Sequence, residues 1–289
     1  MQHEVNLAII GGTGLYHVEG LEVIDTVSIE TVWGKPSDDI IIAEYEGFKV
    51  AFLPRHGKGH VYSPTKIPQK ANMAALKQLG VEEIIAFSSV GSLKEEVAPT
   101  HFVLPSQIID RTRHREDTFF DEGVVAHASF GDPFDEGLAD LLAKHIEALN
   151  VPLHRSETLI CMEGPAFSTR AESKLYKGWG AGIINMTAIP ESKLARELEM
   201  SYQMVCMSTD YDSWRESEEA VTTDDILKVV KQNTDNAKLI IKNMMPDVVA
   251  RGNVKSKWKG SIKFGLLTAL DNADAKTIEK LKTVLPETF

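Results

Sequence analysis

The chain has 289 residues, 43% hydrophobic and 25% charged, with a formal net charge of −11. That length suits one large domain or two small ones, and the acidic balance argues against a nucleic-acid surface, where an excess of Lys and Arg meets the phosphates. No apolar stretch approaches the roughly 20 residues a membrane helix needs, and the first dozen residues carry neither the basic region nor the long apolar core of a signal peptide.

In chain order, an apolar run at 5–10 leads straight into Gly11-Gly12-Thr13-Gly14. Short apolar runs follow at 40–43, 50–53, 84–88, 102–109, 158–162, 183–185 and 204–208, each of strand length and bounded by Gly, Pro or polar residues. Helical stretches are predicted at 63–79, where Ala71, Ala74, Ala75 and Leu79 fall at helical spacing, and at 136–149 behind the cap Asp135. Others span 167–179, 191–199 and 224–245. Strands alternating with helices predict an α/β fold, a single domain whose central mixed, largely parallel β-sheet is flanked by helices. Residues 1–250 read as that domain. Residues 251–289 read as an extension: a basic, exposed connection at 251–260, then a final helix at 273–285, packed on the same domain or on a neighbouring subunit. Cys161 and Cys206 lie in apolar surroundings and read as buried thiols of a reducing compartment, hence an intracellular protein.

Four strand ends carry polar residues where a strand gives way to loop or helix, the place where α/β sheets bind ligands. Gly11-Gly12-Thr13-Gly14 is either a tight turn or a backbone cradle for an anion with the Thr13 hydroxyl added; it lacks the G-x-G-x-x-G spacing of dinucleotide folds. Arg55-His56-Gly57 is either surface decoration or a phosphate clamp, Arg forking onto two oxygens and His donating to a third. Ser88-Ser89-Val90-Gly91-Ser92 offers turn serines or donors to phosphate and sugar. Thr209-Asp210-Tyr211-Asp212 supplies two carboxylates that suit a solvated loop, a cap or acid–base work. No His or Cys cluster stands there at ligand spacing, so no metal is expected.

The segments Ile9-Ile10-Gly11-Gly12-Thr13-Gly14, Gly34-Lys35-Pro36-Ser37-Asp38 and Arg55-His56-Gly57 resemble the trimeric purine nucleoside phosphorylase family. So do Glu163-Gly164-Pro165-Ala166-Phe167-Ser168-Thr169-Arg170-Ala171-Glu172 and Ile184-Asn185-Met186-Thr187, while Thr209-Asp210-Tyr211-Asp212 looks like its methylthioadenosine branch. The resemblance covers about residues 5–245; the tail beyond Val249 matches poorly. It implies that Thr13, Arg55, His56, Ser88 and Thr187 hold phosphate, and that Ser89 and Met186 meet the ribose. It implies that Phe167, Ser168, Asp210 and Asp212 meet the base, with Asp210 catalytic, and that His127, Thr223, Ile226 and Leu227 line a 5' pocket. Ser88 stands where the family often has Thr, and Thr223 where the branch often has Val. On residues alone, Ile226 and Leu227 read first as the core face of an amphipathic helix.

The implied reaction is phosphorolysis of S-methyl-5'-thioadenosine to adenine and 5-methylthioribose 1-phosphate, with inorganic phosphate as co-substrate and no cofactor. A homotrimer in the cytoplasm, with the nucleus as a second location, and no nucleic-acid or membrane partner complete the expectation. Asp210 favours adenine, because an ionised carboxylate accepts from a 6-amino group and repels a 6-oxo group. The alternatives are phosphorolysis of 6-oxopurine nucleosides, hydrolysis by an activated water, and a nucleotide-binding regulatory module without catalysis.

Overall fold

The computed structural model describes residues 4–12, 14–215 and 223–289, the side chains of 223–226 excepted. In chain order the elements are β1 (Leu7–Gly11), β2 (Glu22–Val27), β3 (Ile40–Tyr45), β4 (Phe48–Pro54), α1 (Gln69–Gln78), β5 (Glu83–Ser92), β6 (Phe102–Arg111) and α2 (Glu136–Ala148). They continue with β7 (Leu153–Met162), α3 (Arg170–Gly178), β8 (Ile183–Asn185), α4 (Ala188–Glu197), β9 (Ser201–Tyr211), α5 (Thr223–Arg251), the short α6 (Ile262–Gly265) and α7 (Ala275–Lys282).

The strands form one nine-stranded sheet, ordered β2-β3-β4-β1-β5-β8-β7-β6-β9. Its centre is parallel: β1 pairs in parallel with β4 and β5, and β5 with β9. β9 also pairs with β6, so the strands from β5 onward close into a ring. β6, β7 and β8 are parallel to one another, while β8 runs against β5.

Alternation along β1 divides the core. Ala8 and Ile10 face one side with Ala74 and Leu76 of α1 and Leu194 of α4. Leu7 and Ile9 face the other with Leu138 and Leu142 of α2 and Ile240, Ile241 and Met244 of α5. Successive strand side chains point to opposite faces, so a sheet covered on both sides needs unbroken apolar runs. Each fully buried Leu or Ile adds about 1.5–3 kcal/mol to holding the layers together. Asp135 caps α2 as expected, its carboxylate accepting from the Leu138 N–H at 3.0 Å.

Several boundaries differ from the sequence reading. β2 was not expected; it is an edge strand with Val23 and Ile24 exposed, so it lacks the apolar run that marks a covered strand. The helix expected from 63 begins at Gln69, behind a separate 3₁₀ turn at Pro64–Lys66, because Pro64 and Pro68 break the pattern. α3 begins only at Arg170: Thr169 and Glu172 form a reciprocal capping box, which leaves Phe167 and Ser168 in the preceding loop. The connection at 251–260 is not exposed throughout. Arg251 pairs with Glu83 at 2.6 Å, Asn6 exchanges hydrogen bonds with Val254, and Ser256 is buried. Ile262, Leu281, Val284 and Leu285 join the core on the α1 and α4 side, so 251–289 packs on the same chain.

Candidate active site

The first strand ends meet through the backbone. Gly11 lies opposite Pro54, and the Arg55 N–H donates to the Gly11 carbonyl at 3.0 Å. The Arg55 side chain then turns inward and is only 2% exposed. Nε donates to Glu191 Oε2 at 2.6 Å, Nη2 to Glu191 Oε1 at 2.9 Å and Nη1 to the Phe87 carbonyl at 2.8 Å. Glu191, fully buried on α4, also accepts the Tyr202 hydroxyl at 2.8 Å. Burial alone would weaken the hold of the guanidinium on its proton; the Glu191 carboxylate more than offsets this and pushes its pKa above the ordinary value. Of the five N–H donors of Arg55, three are accounted for by these bonds among the described residues. The bidentate fork is thus engaged with Glu191.

His56 differs from the sequence reading. Its Nδ1 lies 2.9 Å from the Tyr62 carbonyl, which can only accept, so Nδ1 carries the proton. Burial, with Arg55 and the stacked His60 adding to it against the Tyr62 bond, lowers its pKa to about 4. The ring is neutral at neutral pH, and Nε2 presents a lone pair. In this tautomer the Nδ1 proton is committed to Tyr62, and the outward nitrogen, Nε2, can only accept.

Ser88 and Thr187 come together although 99 residues separate them, with their hydroxyls 3.4 Å apart. β8 brings Asn185 to the same spot, where its side-chain N–H donates to Ser88 Oγ at 3.3 Å. Ser88 is buried and Ser89 exposed, so their hydroxyls leave β5 on opposite faces. Met186 follows at the end of β8, its side chain lying over Gly164. That glycine has a φ of +70°, and a Cβ there would come within 2.5 Å of the Met186 sulfur.

The carboxylates lie one strand over. β9 pairs with β5 so that Asp210 stands opposite Gly91. A Cβ on Gly91 would sit 3.3 Å from the Asp212 Cβ and 3.4 Å from Asp210 Oδ1, so the absence of a side chain lets both acids approach. Burial raises the Asp210 pKa; a 2.7 Å bond from the Thr209 hydroxyl opposes the rise and Asp212 adds to it. Asp212 Oδ2 is buried without a partner among the described residues. Ser213 donates to the Ser168 carbonyl at 3.0 Å and joins the Phe167–Ser168 loop to this strand end.

Other expected residues stand apart. Phe167 is 81% exposed and Leu227 60%, so Leu227 is not a core residue of α5. The side chains of Thr223 and Ile226, and Thr13 as a whole, lie outside the described residues. His127 lines a cavity of about 380 Å³ with Phe120, Val125, Lys193 and Glu197; Arg55, Ser88, Thr187 and Asp210 are not among its walls. Glu191, Asn185 and Arg115 were not anticipated from sequence. Glu191 reads as an acidic residue in a first helical turn, and Arg115 sits in the charged stretch Arg111-Thr112-Arg113-His114-Arg115-Glu116, which reads as a solvated loop.

A sequence profile of the phosphorylase superfamily matches residues 6–245. An S-methyl-5'-thioadenosine phosphorylase of Schizosaccharomyces pombe is 47% identical, the alignment covering 97% of this chain and 95% of that protein. The similarity therefore runs on into the tail that the sequence reading left unmatched. A methylthioadenosine phosphorylase from an Antarctic soil metagenomic library superposes with a TM-score of 0.93 at 41% identity, covering 99% of this chain and 100% of that one. A Schistosoma mansoni adenosine/methylthioadenosine phosphorylase variant in complex with methylthioadenosine superposes with a TM-score of 0.80 at 30% identity, over 90% and 96% of the two chains. The chain belongs to the phosphorylase superfamily, on the branch of the S-methyl-5'-thioadenosine phosphorylases.

Proposed function

We propose that the protein cleaves S-methyl-5'-thioadenosine with inorganic phosphate, giving adenine and 5-methylthioribose 1-phosphate. The observation that carries this reading is the buried Asp210 with its raised pKa on β9, the strand paired with β5, where Ser88 meets Thr187 and the Arg55 guanidinium reaches the Phe87 carbonyl. Cleavage leaves positive charge on the sugar and negative charge on the purine, so the site needs an anion on one side and a proton donor on the other. The remaining donors of Arg55 and the hydroxyls of Ser88 and Thr187 hold phosphate, and Nε2 of His56 accepts a hydrogen bond from a P–OH group. Holding phosphate against the sugar replaces a dilute nucleophile by a positioned one, an effect worth up to roughly 7–11 kcal/mol.

Asp210, whose pKa burial raises, donates toward N7 of the departing adenine when its carboxyl carries a proton. Asp212, with its unpartnered Oδ2, accepts from the base. Phe167 stacks on the purine, Met186 lies against the ribose, and Leu227 offers an apolar wall to the methylthio group. Inorganic phosphate is the co-substrate, and no metal or organic cofactor takes part; exhaustive dialysis against a chelator leaves the rate unchanged on this reading.

The active assembly is a homotrimer in which His127 reaches the 5' pocket of a neighbouring copy. This is supported by the separate cavity His127 lines and by the exposed Val125, Phe264 and Leu267 beside it. Light scattering gives the subunit number. Two buried, free cysteines suit a reducing compartment, and cytoplasmic and nuclear location is proposed on that ground. The test of the reaction is a panel of methylthioadenosine, adenosine and inosine with and without phosphate. Methylthioadenosine should turn over fastest, and only with phosphate. Preference for inosine would move the protein to the 6-oxopurine reading.

A further inference from the structure

Arg115 lies in the loop after β6, yet its side chain is only 3% exposed. Nε donates to Glu163 Oε1 at 3.3 Å, Nη1 to the carbonyls of Met186 at 2.7 Å and of Ile189, and Nη2 to the carbonyls of Met162 at 3.2 Å and Glu163 at 2.6 Å. All five guanidinium donors are engaged within the chain, so none is left for a ligand. The Glu163 carboxylate is as fully committed, accepting from the Thr65 hydroxyl and from the backbone N–H groups of Arg113 and His114. Burial would raise its pKa, but these bonds and Arg115 hold it down at about 2.

The segments joined here are those the proposed reaction needs. The carbonyls of Met186 and Ile189 bracket Thr187. The Met162–Glu163 strand end leads to Phe167 and Ser168. Thr65 anchors the segment that follows Arg55 and His56. We propose that Arg115, locked to Glu163, is a positioning residue that holds the phosphate-side and base-side segments in register without touching either substrate. An Arg is required chemically: carbonyls on two segments converge on one plane, and only a guanidinium offers five donors in a fixed fork. A Lys has three donors around a point.

The proposal rests on the phosphorolysis reading, and its test separates the two. The wild-type enzyme, Arg115→Lys, Arg115→Ala and the milder Glu163→Gln are compared for thermal midpoint, for kcat, and for the KM of phosphate and of methylthioadenosine. The wild-type rate on methylthioadenosine decides the reading; if another nucleoside of the panel turns over instead, the ratios are taken on that one. Because each half of the site keeps its own donors, both KM values should stay within about fivefold. The halves are displaced relative to one another, so kcat should fall about 100-fold, the scale of loss from a displacement near 1 Å. Arg115→Lys should recover little, and Glu163→Gln should fall between wild type and Arg115→Lys. A lowered thermal midpoint with kcat of the folded enzyme unchanged would overturn the proposal, as would full rescue by Lys. If Arg115→Ala does not fold, the same kcat-against-KM split read on Glu163→Gln decides.

Discussion

The two ends of the site are built differently. At the proposed phosphate end Arg55 and Glu191 are buried and hydrogen-bonded to each other, with Tyr202 behind them, and the hydroxyls of Ser88 and Thr187 lie 3.4 Å apart. At the base and 5' end Phe167 and Leu227 stand in solvent, and a buried oxygen of Asp212 has no partner among the described residues. The contrast follows from what each end must recognise. A small anion is stabilised by donors fixed in advance, because reorienting them during reaction would cost much of what they supply. A flat apolar base gains from contact area, which a side chain can provide after the ligand arrives.

Breaking the phosphate end should have the largest effect. Arg55→Ala leaves the Glu191 carboxylate buried without its counter-charge and with the Tyr202 hydroxyl still donating to it, so a loss of about 3–5 kcal/mol in unfolding free energy is expected with the loss of phosphate use. Adding Glu191→Gln should recover part of the stability and none of the phosphate affinity, which denaturant midpoints and phosphate KM values together read out. A stable Arg55→Ala enzyme with normal phosphate kinetics would show that the two ends do not differ as described.

Asp210→Asn comes next. Turnover of methylthioadenosine should fall about 100-fold with the loss of the acid, and the preference between methylthioadenosine and methylthioinosine should move toward the 6-oxo base. The pH dependence follows from the direction of the shift. A raised pKa keeps the carboxyl protonated at higher pH than an ordinary Asp, and the rate falls as pH rises through it. In Asp210→Asn that alkaline fall should vanish. An unchanged base preference would show that Asp210 does not read the 6-position.

Smaller effects belong to the open end. Phe167→Ala should raise the methylthioadenosine KM about 2- to 13-fold, from a lost ring contact of roughly 0.5–1.5 kcal/mol, and leave the thermal midpoint unmoved because the ring is 81% exposed. Leu227→Ser should cost only a few-fold in preference for methylthioadenosine over adenosine. A clear drop in thermal midpoint for either variant would show that the base end is pre-built too.

The same division decides what was legible in the sequence. Each apolar run bounded by Gly, Pro or polar residues proved to be a strand, since a sheet covered on both faces needs largely unbroken apolar runs; β2, uncovered at the edge, carries no such signal. The polar strand ends marked Arg55, Ser88 and Asp210 because they interrupt apolar runs. What pairs with them was hidden. Glu191 and Arg115 act across sequence separations that no local pattern encodes, 136 residues from Arg55 in one case and 71 from Met186 in the other. The tautomer of His56 was hidden for a similar reason, because the Tyr62 carbonyl that fixes it is met only once the loop has folded back.

The most direct test of the account is the fate of phosphate during turnover of methylthioadenosine. Phosphorus NMR of the purified enzyme with limiting phosphate should show one equivalent of 5-methylthioribose 1-phosphate formed for each adenine released, with turnover stopping when phosphate is exhausted. Release of adenine with free 5-methylthioribose, at a rate indifferent to phosphate, would contradict it.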